Sequence, residues 1–163
     1  MGQQSSLDLK PGARHAFREL VIKYRFNPDI PDDMLRLKNI LISSPEDAVK
    51  SFYWLFETEP RERFVVVFLN TANGVEGYRI ISEGNLNASV VHPREVYQAA
   101  IKANAGALIV LHNHPSGNPE PSHEDRMITK QLVEAGKIIG IPVHDHIIYA
   151  GEKYTSFAER GLL

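Results

Sequence analysis

The 163-residue chain contains no cysteine, which excludes disulfide bonds and thiolate zinc sites. It also lacks the run of ~18 apolar residues that suggests a membrane-spanning helix, and its start shows no signal-peptide pattern. The 18 basic and 20 acidic residues leave a formal charge of −2, so no global field favours nucleic acid or an anionic membrane. These absences predict a cytoplasmic protein without a membrane partner, whose metal ligands would come from histidines and carboxylates.

The composition is that of a globular protein with a substantial core. Hydrophobic residues make up 43% and charged residues 23% of the chain, which is typical of a soluble domain, and the length suits a single domain. We divide the chain into an N-terminal extension, residues 1–43, and a main domain, residues 44–163. The extension is predicted to contain a strand at residues 20–26 and a proline-containing linker at residues 27–33.

Local signals in the main domain predict alternating helices and strands. Ser44, followed by Pro45 and two acids, has the pattern of a helix N-cap. Asn73-Gly74 predicts a hairpin turn. Helices are predicted to start at Ser44, His92 and Ser122, and strands to span residues 63–70, 75–82, 107–114, 142–150 and 153–157. With the strand in the extension, this order predicts an α/β domain with a mixed sheet flanked by helices.

The richest chemistry lies in residues 112–125. His112 and His114 are two residues apart at the end of an apolar strand, so both imidazoles are expected on one face. A loop with proline and glycine then leads to Ser122 and Asp125 at the start of a helix. Two imidazoles and one carboxylate, with a fourth position open, are typical of a catalytic zinc site. The pattern therefore predicts a zinc hydrolase with His112, His114 and Asp125 as ligands.

Each part of this pattern also has a purely structural explanation. Ser122 and Asp125 have the spacing of a capping box, and a histidine pair can simply be polar residues at a strand end. The cap and the site are compatible, since Ser122 can cap the helix and still project near the metal. A second pair, His144 and His146, offers an alternative site. We expect these two histidines not to bind metal, because no carboxylate returns to them.

A catalytic zinc also needs a general base, which the residues alone do not identify. The candidates lie at the start of a strand, on the returning hairpin strand, in the first turn of a helix, or in and beside the loop of the predicted site: Glu62, Glu76, Glu83, Glu95, Glu120 and Glu124.

The order His-x-His, seven residues, Ser-x-x-Asp resembles the motif of the JAMM (MPN+) metallopeptidases. The wider sequence is similar to the RadC-like JAB domain, in residues 62–70, 91–96, 107–117, 145–148 and 156–161. The resemblance implies a cytidine-deaminase-like α/β sandwich that binds one zinc ion through His112, His114 and Asp125. It further implies that Glu62 is the catalytic base, that Ser122 stabilises the tetrahedral intermediate, and that the reaction is amide or isopeptide hydrolysis of a peptide or protein.

Two departures from the family narrow these expectations. Asn113 lies between the histidines, as in RadC-like proteins, where deubiquitinating members have serine or threonine, so ubiquitin is not the expected substrate. The region before Ser44 is too short for the helical module of full-length RadC proteins, which weakens an inherited DNA role.

Two other functions compete with hydrolysis. The first is a DNA-repair or recombination role in contact with nucleic acid or a repair protein, which would use a basic N-terminal segment containing Lys10, Arg14, Arg18, Lys23 and Arg25. The second is a non-catalytic interaction scaffold, although a complete set of ligands and catalytic residues argues against it. The sequence predicts neither the substrate nor the oligomeric state.

Overall fold

The computed structural model describes residue 37 and residues 40–84 and 91–163. The strand expected at residues 20–26, the linker at residues 27–33 and the basic N-terminal segment lie outside these residues. Within them, the chain forms three α-helices and five strands: α1 (Pro45–Phe52), β1 (Arg63–Leu69), β2 (Val75–Glu83), α2 (Pro93–Lys102), β3 (Ala107–Asn113), α3 (His123–Ile139), β4 (Val143–Ala150) and β5 (Lys153–Ser156). A 3₁₀ turn, Tyr53–Leu55, follows α1.

The five strands form one mixed sheet in the order β2-β1-β3-β4-β5. The β3–β4 pair is parallel, with α3 as the crossover between the strands, whereas the other three pairs are antiparallel. The predicted α/β class and mixed sheet are confirmed, and the architecture is consistent with a JAB/MPN fold. None of the helices in the described ranges has the length and hydropathy needed to cross a membrane.

Side-chain hydrogen bonds cap the N-termini of two helices, as the sequence predicts. Ser44 with Asp47 and Ser122 with Asp125 each form a complete capping box, in which side chain and backbone bond reciprocally. At the other end of α3, Gly140 has a φ of 80°, a left-handed conformation that glycine adopts without steric cost.

Helix α2 begins after His92, as predicted, but ends earlier than the sequence suggests. His92 occupies the N-cap position, but its side chain makes no capping hydrogen bond. The glycine at position 106 predicts a helix end at about residue 105. The helix instead ends at Lys102, and Asn104 takes the left-handed conformation with a φ of 53°. Asparagine tolerates this conformation better than most residues. Gly106 serves close packing instead, because an added Cβ would lie 2.9 Å from the backbone nitrogen of Thr71.

The sheet separates two hydrophobic cores. The α1-side core includes Phe52, Val65 and Ile109, and the α2/α3-side core includes Val66 and Val110. Alternating residues of β1 and β3 therefore face opposite cores, as the twofold period of a strand requires. His112 follows Val110 by two residues, so it lies on the α2/α3 side of the sheet.

Candidate metal centre

Three side chains meet where β3 ends and α3 begins. His112 Nδ1 lies 3.2 Å from Asp125 Oδ1, and His114 Nε2 lies 3.3 Å from Asp125 Oδ2. One potential ligand atom from each residue lies within 4.8 Å of the other two. The strand supplies both imidazoles, and the capped first turn of α3 supplies the carboxylate. This buried group could bind a metal ion, as the sequence motif predicts.

The environment of His112 fits a metal ligand. Its side chain is only 2% exposed, and neither ring nitrogen has a hydrogen-bond partner among the described residues. Burial lowers the pKa of His112 to about 4, despite the opposing charge of Asp125. The ring is therefore neutral at physiological pH and presents a lone pair beside a carboxylate. A buried polar atom without a partner costs about 1–3 kcal/mol, and coordination of a cation would remove that cost.

The carboxylate of Asp125 is held by the same residue that caps the helix. The Ser122 backbone N–H and the Ser122 hydroxyl each donate to Asp125 Oδ2 at 2.7 Å, and the Asp125 N–H donates to Ser122 Oγ at 3.0 Å. Burial alone would raise the pKa of Asp125. The bond with His114, the nearby His112 and the two Ser122 bonds together hold that pKa below its ordinary value. The structural and functional interpretations of Ser122-x-x-Asp125 are thus compatible in one arrangement.

A backbone contact fixes the ring of His114. Its Nδ1 lies 2.7 Å from the carbonyl oxygen of Asn118, so Nδ1 carries the hydrogen and Nε2 faces Asp125. The hydrogen bond with Asp125 raises the pKa of His114, although burial opposes it. Metal-binding histidines typically donate their second ring N–H to a carbonyl or carboxylate in this way. His114 is therefore oriented to bind a cation through Nε2 once that nitrogen is deprotonated.

A register shift in the sheet gives the two histidines of the second pair different environments. The register between β3 and β4 shifts at Leu108/Ile109, so Val143 and Asp145 pair with consecutive residues while His144 is left exposed. His146 instead is fully buried, with its ring 5.9 Å from that of His112. Within the described residues, neither histidine belongs to the candidate metal-binding group of His112, His114 and Asp125.

His146 nevertheless supports the site through Thr129. The Thr129 hydroxyl donates to the Asp125 carbonyl oxygen at 2.5 Å, and its oxygen lies 2.6 Å from His146 Nδ1, which therefore donates to it. Burial lowers the pKa of His146 to about 3, so the ring is neutral. This link ties the first turn of α3 to β4. Sequence reasoning missed it, and only the i, i+4 spacing of Asp125 and Thr129 hinted that both lie on the inner face of α3.

The register of β1 and β3, continued beyond its last pair, puts Glu62 on the site side of the sheet. Glu62 precedes β1 and follows the same alternation as Phe64, which pairs with His112. Continuing this antiparallel register by two residues brings Glu62 opposite His114. In agreement, the charge of Glu62 is one of the factors that raise the pKa of His114.

Three other candidate glutamates bind partners elsewhere. Glu83 pairs with Arg61 and Arg63, Glu120 accepts two hydrogen bonds from Arg160, and Glu76 accepts one from Asn70. The remaining candidates, Glu95 and Glu124, are exposed in the first turns of α2 and α3. The geometry therefore favours Glu62 among the six.

Comparison with known proteins agrees with this architecture. A family model described as the RadC-like JAB domain matches residues 42–162. A UPF0758 protein of Salinibacter ruber is 54% identical over 122 residues, covering 75% of this chain and 52% of that protein. A UPF0758 protein of Methanosarcina mazei is 43% identical over 122 residues, covering 75% of this chain and 53% of that protein. A UPF0758 protein of Desulforamulus reducens is 48% identical over 124 residues, covering 76% of this chain and 55% of that protein.

The chain thus spans about half the length of the curated relatives it matches. The matched range includes the three residues of the candidate metal-binding group as well as Glu62 and Ser122. On the strength of the family match over most of its length, the chain belongs to the RadC-like JAB domain family.

Proposed function

We propose that this protein is a zinc-dependent hydrolase of amide bonds, acting as a peptidase or isopeptidase on a peptide or protein substrate. The observation that carries the proposal is the convergence of His112, His114 and Asp125 at one point, with His112 buried and its ring nitrogens unpartnered within the described part of the chain. Imidazole and carboxylate ligands suit zinc, and three protein ligands leave a position for water or substrate.

The metal would supply Lewis-acid activation of water and of the substrate carbonyl. The chain supplies the rest of the chemistry. The Glu62 carboxylate, opposite His114, would take the proton from the attacking water and deliver it to the nitrogen of the leaving amine. General acid–base catalysis of this kind typically contributes about 10²–10⁴-fold in rate.

Ser122 would stabilise the oxyanion through its hydroxyl. In the structure that hydroxyl donates its single hydrogen to Asp125 Oδ2, while its oxygen accepts from the Asp125 N–H. If Asp125 served as a metal ligand, the Ser122 hydroxyl hydrogen could turn from the carboxylate toward the substrate. The helix cap would persist, because the Ser122 oxygen would still accept the Asp125 N–H. Loss of one such donor typically costs about 10²–10³-fold in rate.

The loop that follows β3 gives substrate a route to these groups. Residues 115–118 are exposed and His114 is partly buried, whereas His112 is sealed beneath it. A substrate carbonyl would therefore approach from the side of His114 and Glu62, where the base lies. This placement suits an extended peptide or a side-chain isopeptide that reaches the site from the surface.

The test begins with metal content. The purified protein should carry about one zinc per chain, and the His112→Ala, His114→Ala double variant should carry none. The zinc-loaded protein is then incubated with a mixture of proteome-derived peptides and lysine-linked isopeptides, and new amino termini are identified by mass spectrometry.

Two glutamate variants complete the test. Glu62→Gln should keep the zinc and lose hydrolysis, while the control Glu76→Gln, on β2 beside Asn70, should retain both. A parent protein that binds no zinc would refute the proposal. Hydrolysis by Glu62→Gln at the parent rate would show that Glu62 is not the base.

A further inference from the structure

Asn113 is the residue between the two histidines, yet its side chain bonds to the backbone around the start of β1. It is 5% exposed. Its Oδ1 accepts the backbone N–H of Arg63 at 2.7 Å, and its Nδ2 donates to the backbone carbonyl of Arg61 at 3.0 Å. Both bonds bridge about fifty residues of sequence, and together they grip the peptide groups on either side of Glu62.

These bonds lie just beyond the end of a strand ladder. The register of β1 and β3 ends with Phe64 opposite His112. The next residue pair would be Arg63 opposite Asn113, and there the side-chain amide takes over the donor and acceptor roles that a backbone would supply. The amide thereby extends the pairing to the residue that follows in register, Glu62.

A second strand holds Glu62 from the other side. The backbone N–H of Gly84, just after β2, donates to the Glu62 carbonyl oxygen at 2.8 Å. The backbone of Glu62 is therefore fixed between the ends of β2 and β3, although it lies outside β1 itself. A fixed backbone leaves a glutamate only its side-chain rotations, which favours a single placement of the carboxylate.

The side chains of the two flanking arginines form ion pairs with Glu59 and Glu83. Arg63 bonds to Glu59, Glu83 and the Leu55 carbonyl, and Arg61 bonds to Glu59 and Glu83. This ion-pair group fixes the two arginine side chains, and its Glu59 also accepts the Arg61 backbone N–H at 3.1 Å. The two peptide groups that flank Glu62, however, are bonded by the Asn113 amide. The Asn113 bonds are thus distinct from the surface charge network.

We propose that Asn113 is a positioning residue that holds the Glu62 carboxylate beside the metal-binding group by bonding the backbone on both sides of it. The proposal rests on the hydrolase function proposed above, because it assumes that Glu62 is the catalytic base. It assigns the residue between the metal-binding histidines a role in placing the base, through a contact made on the opposite face of the strand.

The test measures where the Glu62 carboxylate lies and needs no substrate. The full chain is loaded with Co(II) in place of zinc and labelled with ¹³C at glutamate carboxyl groups. The resonance missing from Glu62→Gln identifies Glu62, and its cobalt-induced paramagnetic shift reports the distance and orientation of the carboxyl carbon from the metal. In the parent this shift should be large, and in Asn113→Ala it should be largely lost while cobalt remains bound.

A matched control separates positioning from general weakening of β1. Asn70 lies just beyond the other end of this strand, where its side chain also bonds backbone groups, the N–H groups of Ala72 and Gly74. Asn70→Ala should leave the Glu62 shift unchanged. If Asn113→Ala does not fold, Asn113→Ser serves instead, because one hydroxyl cannot reach both flanking peptides at once.

The outcomes separate the two proposals. An unchanged Glu62 shift in a folded, cobalt-loaded Asn113 variant would overturn the positioning role, and so would a parent protein in which Glu62 shows no cobalt shift. A parent that shows the shift but hydrolyses nothing would refute the hydrolase function while leaving the placement of Glu62 by Asn113 intact. Loss of the shift only in the Asn113 variants supports the inference.

Discussion

Replacing a buried threonine with valine should have different effects on stability at two positions in this protein. The hydroxyl of Thr129 donates to the Asp125 carbonyl and accepts from His146 Nδ1, whereas that of Thr155 has no partner among the described residues. Both residues are 1% exposed. Valine has nearly the shape of threonine but no hydroxyl, so Thr129→Val should destabilise the protein and Thr155→Val should not.

The size of the effect follows from what each change leaves behind. Thr129→Val strands the N–H of His146, whose other ring nitrogen is also buried without a partner within the described ranges, so rotating the ring recovers nothing. A stranded buried donor costs about 1–3 kcal/mol, and the added methyl group returns up to about 0.8 kcal/mol. We expect Thr129→Val to lower the free energy of unfolding by about 1–2 kcal/mol. Thr155→Val should change it by about zero or raise it by about 1 kcal/mol.

Urea unfolding with EDTA present measures both changes without a contribution from bound metal. The slope of unfolding free energy against urea should match the parent, and the midpoint should fall for Thr129→Val alone. In thermal unfolding the same loss corresponds to about 2–4 °C per kcal/mol for a chain of this size. Equal midpoints for the two variants would refute the bond network that we assign to Thr129.

Two further predictions concern the metal-binding group and α3. Zinc affinity should fall as pH drops through the raised pKa of His114, because zinc requires the deprotonated Nε2. For one displaced proton the fall is about tenfold per pH unit. If calorimetric titrations across pH 5–8 show no change of affinity with pH, His114 is not a ligand. Gly136→Ala should destabilise the protein by about 1–3 kcal/mol in urea unfolding. The new Cβ would lie 2.5 Å from Tyr97 Oη and 2.6 Å from the Ile141 carbonyl oxygen, and this overlap outweighs the helix preference of alanine over glycine, about 1 kcal/mol. Stabilisation by this change would show that the helix can shift to make room.

The features that the sequence predicts correctly have local causes. Ser44 and Ser122 sit at helix starts because their hydroxyls can reach backbone N–H groups three residues on. The histidine pair shares one face because a strand alternates, and Asp125 reaches it because the cap fixes the start of α3. These relations involve neighbours within one or two elements, which periodicity and spacing describe well.

What the sequence does not predict depends on which strands become neighbours. The family resemblance points to Glu62, but residue type and spacing alone leave the six candidate glutamates equivalent. The physical reason to prefer Glu62 is that β1 lies beside β3, so that the continued register brings Glu62 opposite His114. The links of Asn113 to Arg61 and Arg63, and of His146 to Thr129, likewise join segments distant in sequence. Residue type alone does not indicate such contacts, because an asparagine or a buried histidine has many possible partners.

The location of the two hydrophobic cores has a consequence for how a metal ion would reach the candidate site. Both cores pack against the faces of the sheet, whereas His114 and Asp125 lie at the end of its strands. Zinc fingers fold only when metal binds, because the ion replaces a missing core. Here the chain has its core already, so a metal ion that binds these residues would enter and leave a folded protein. The identity of such an ion would then be decided after folding, by which divalent metals are in supply and how their preferred geometries fit.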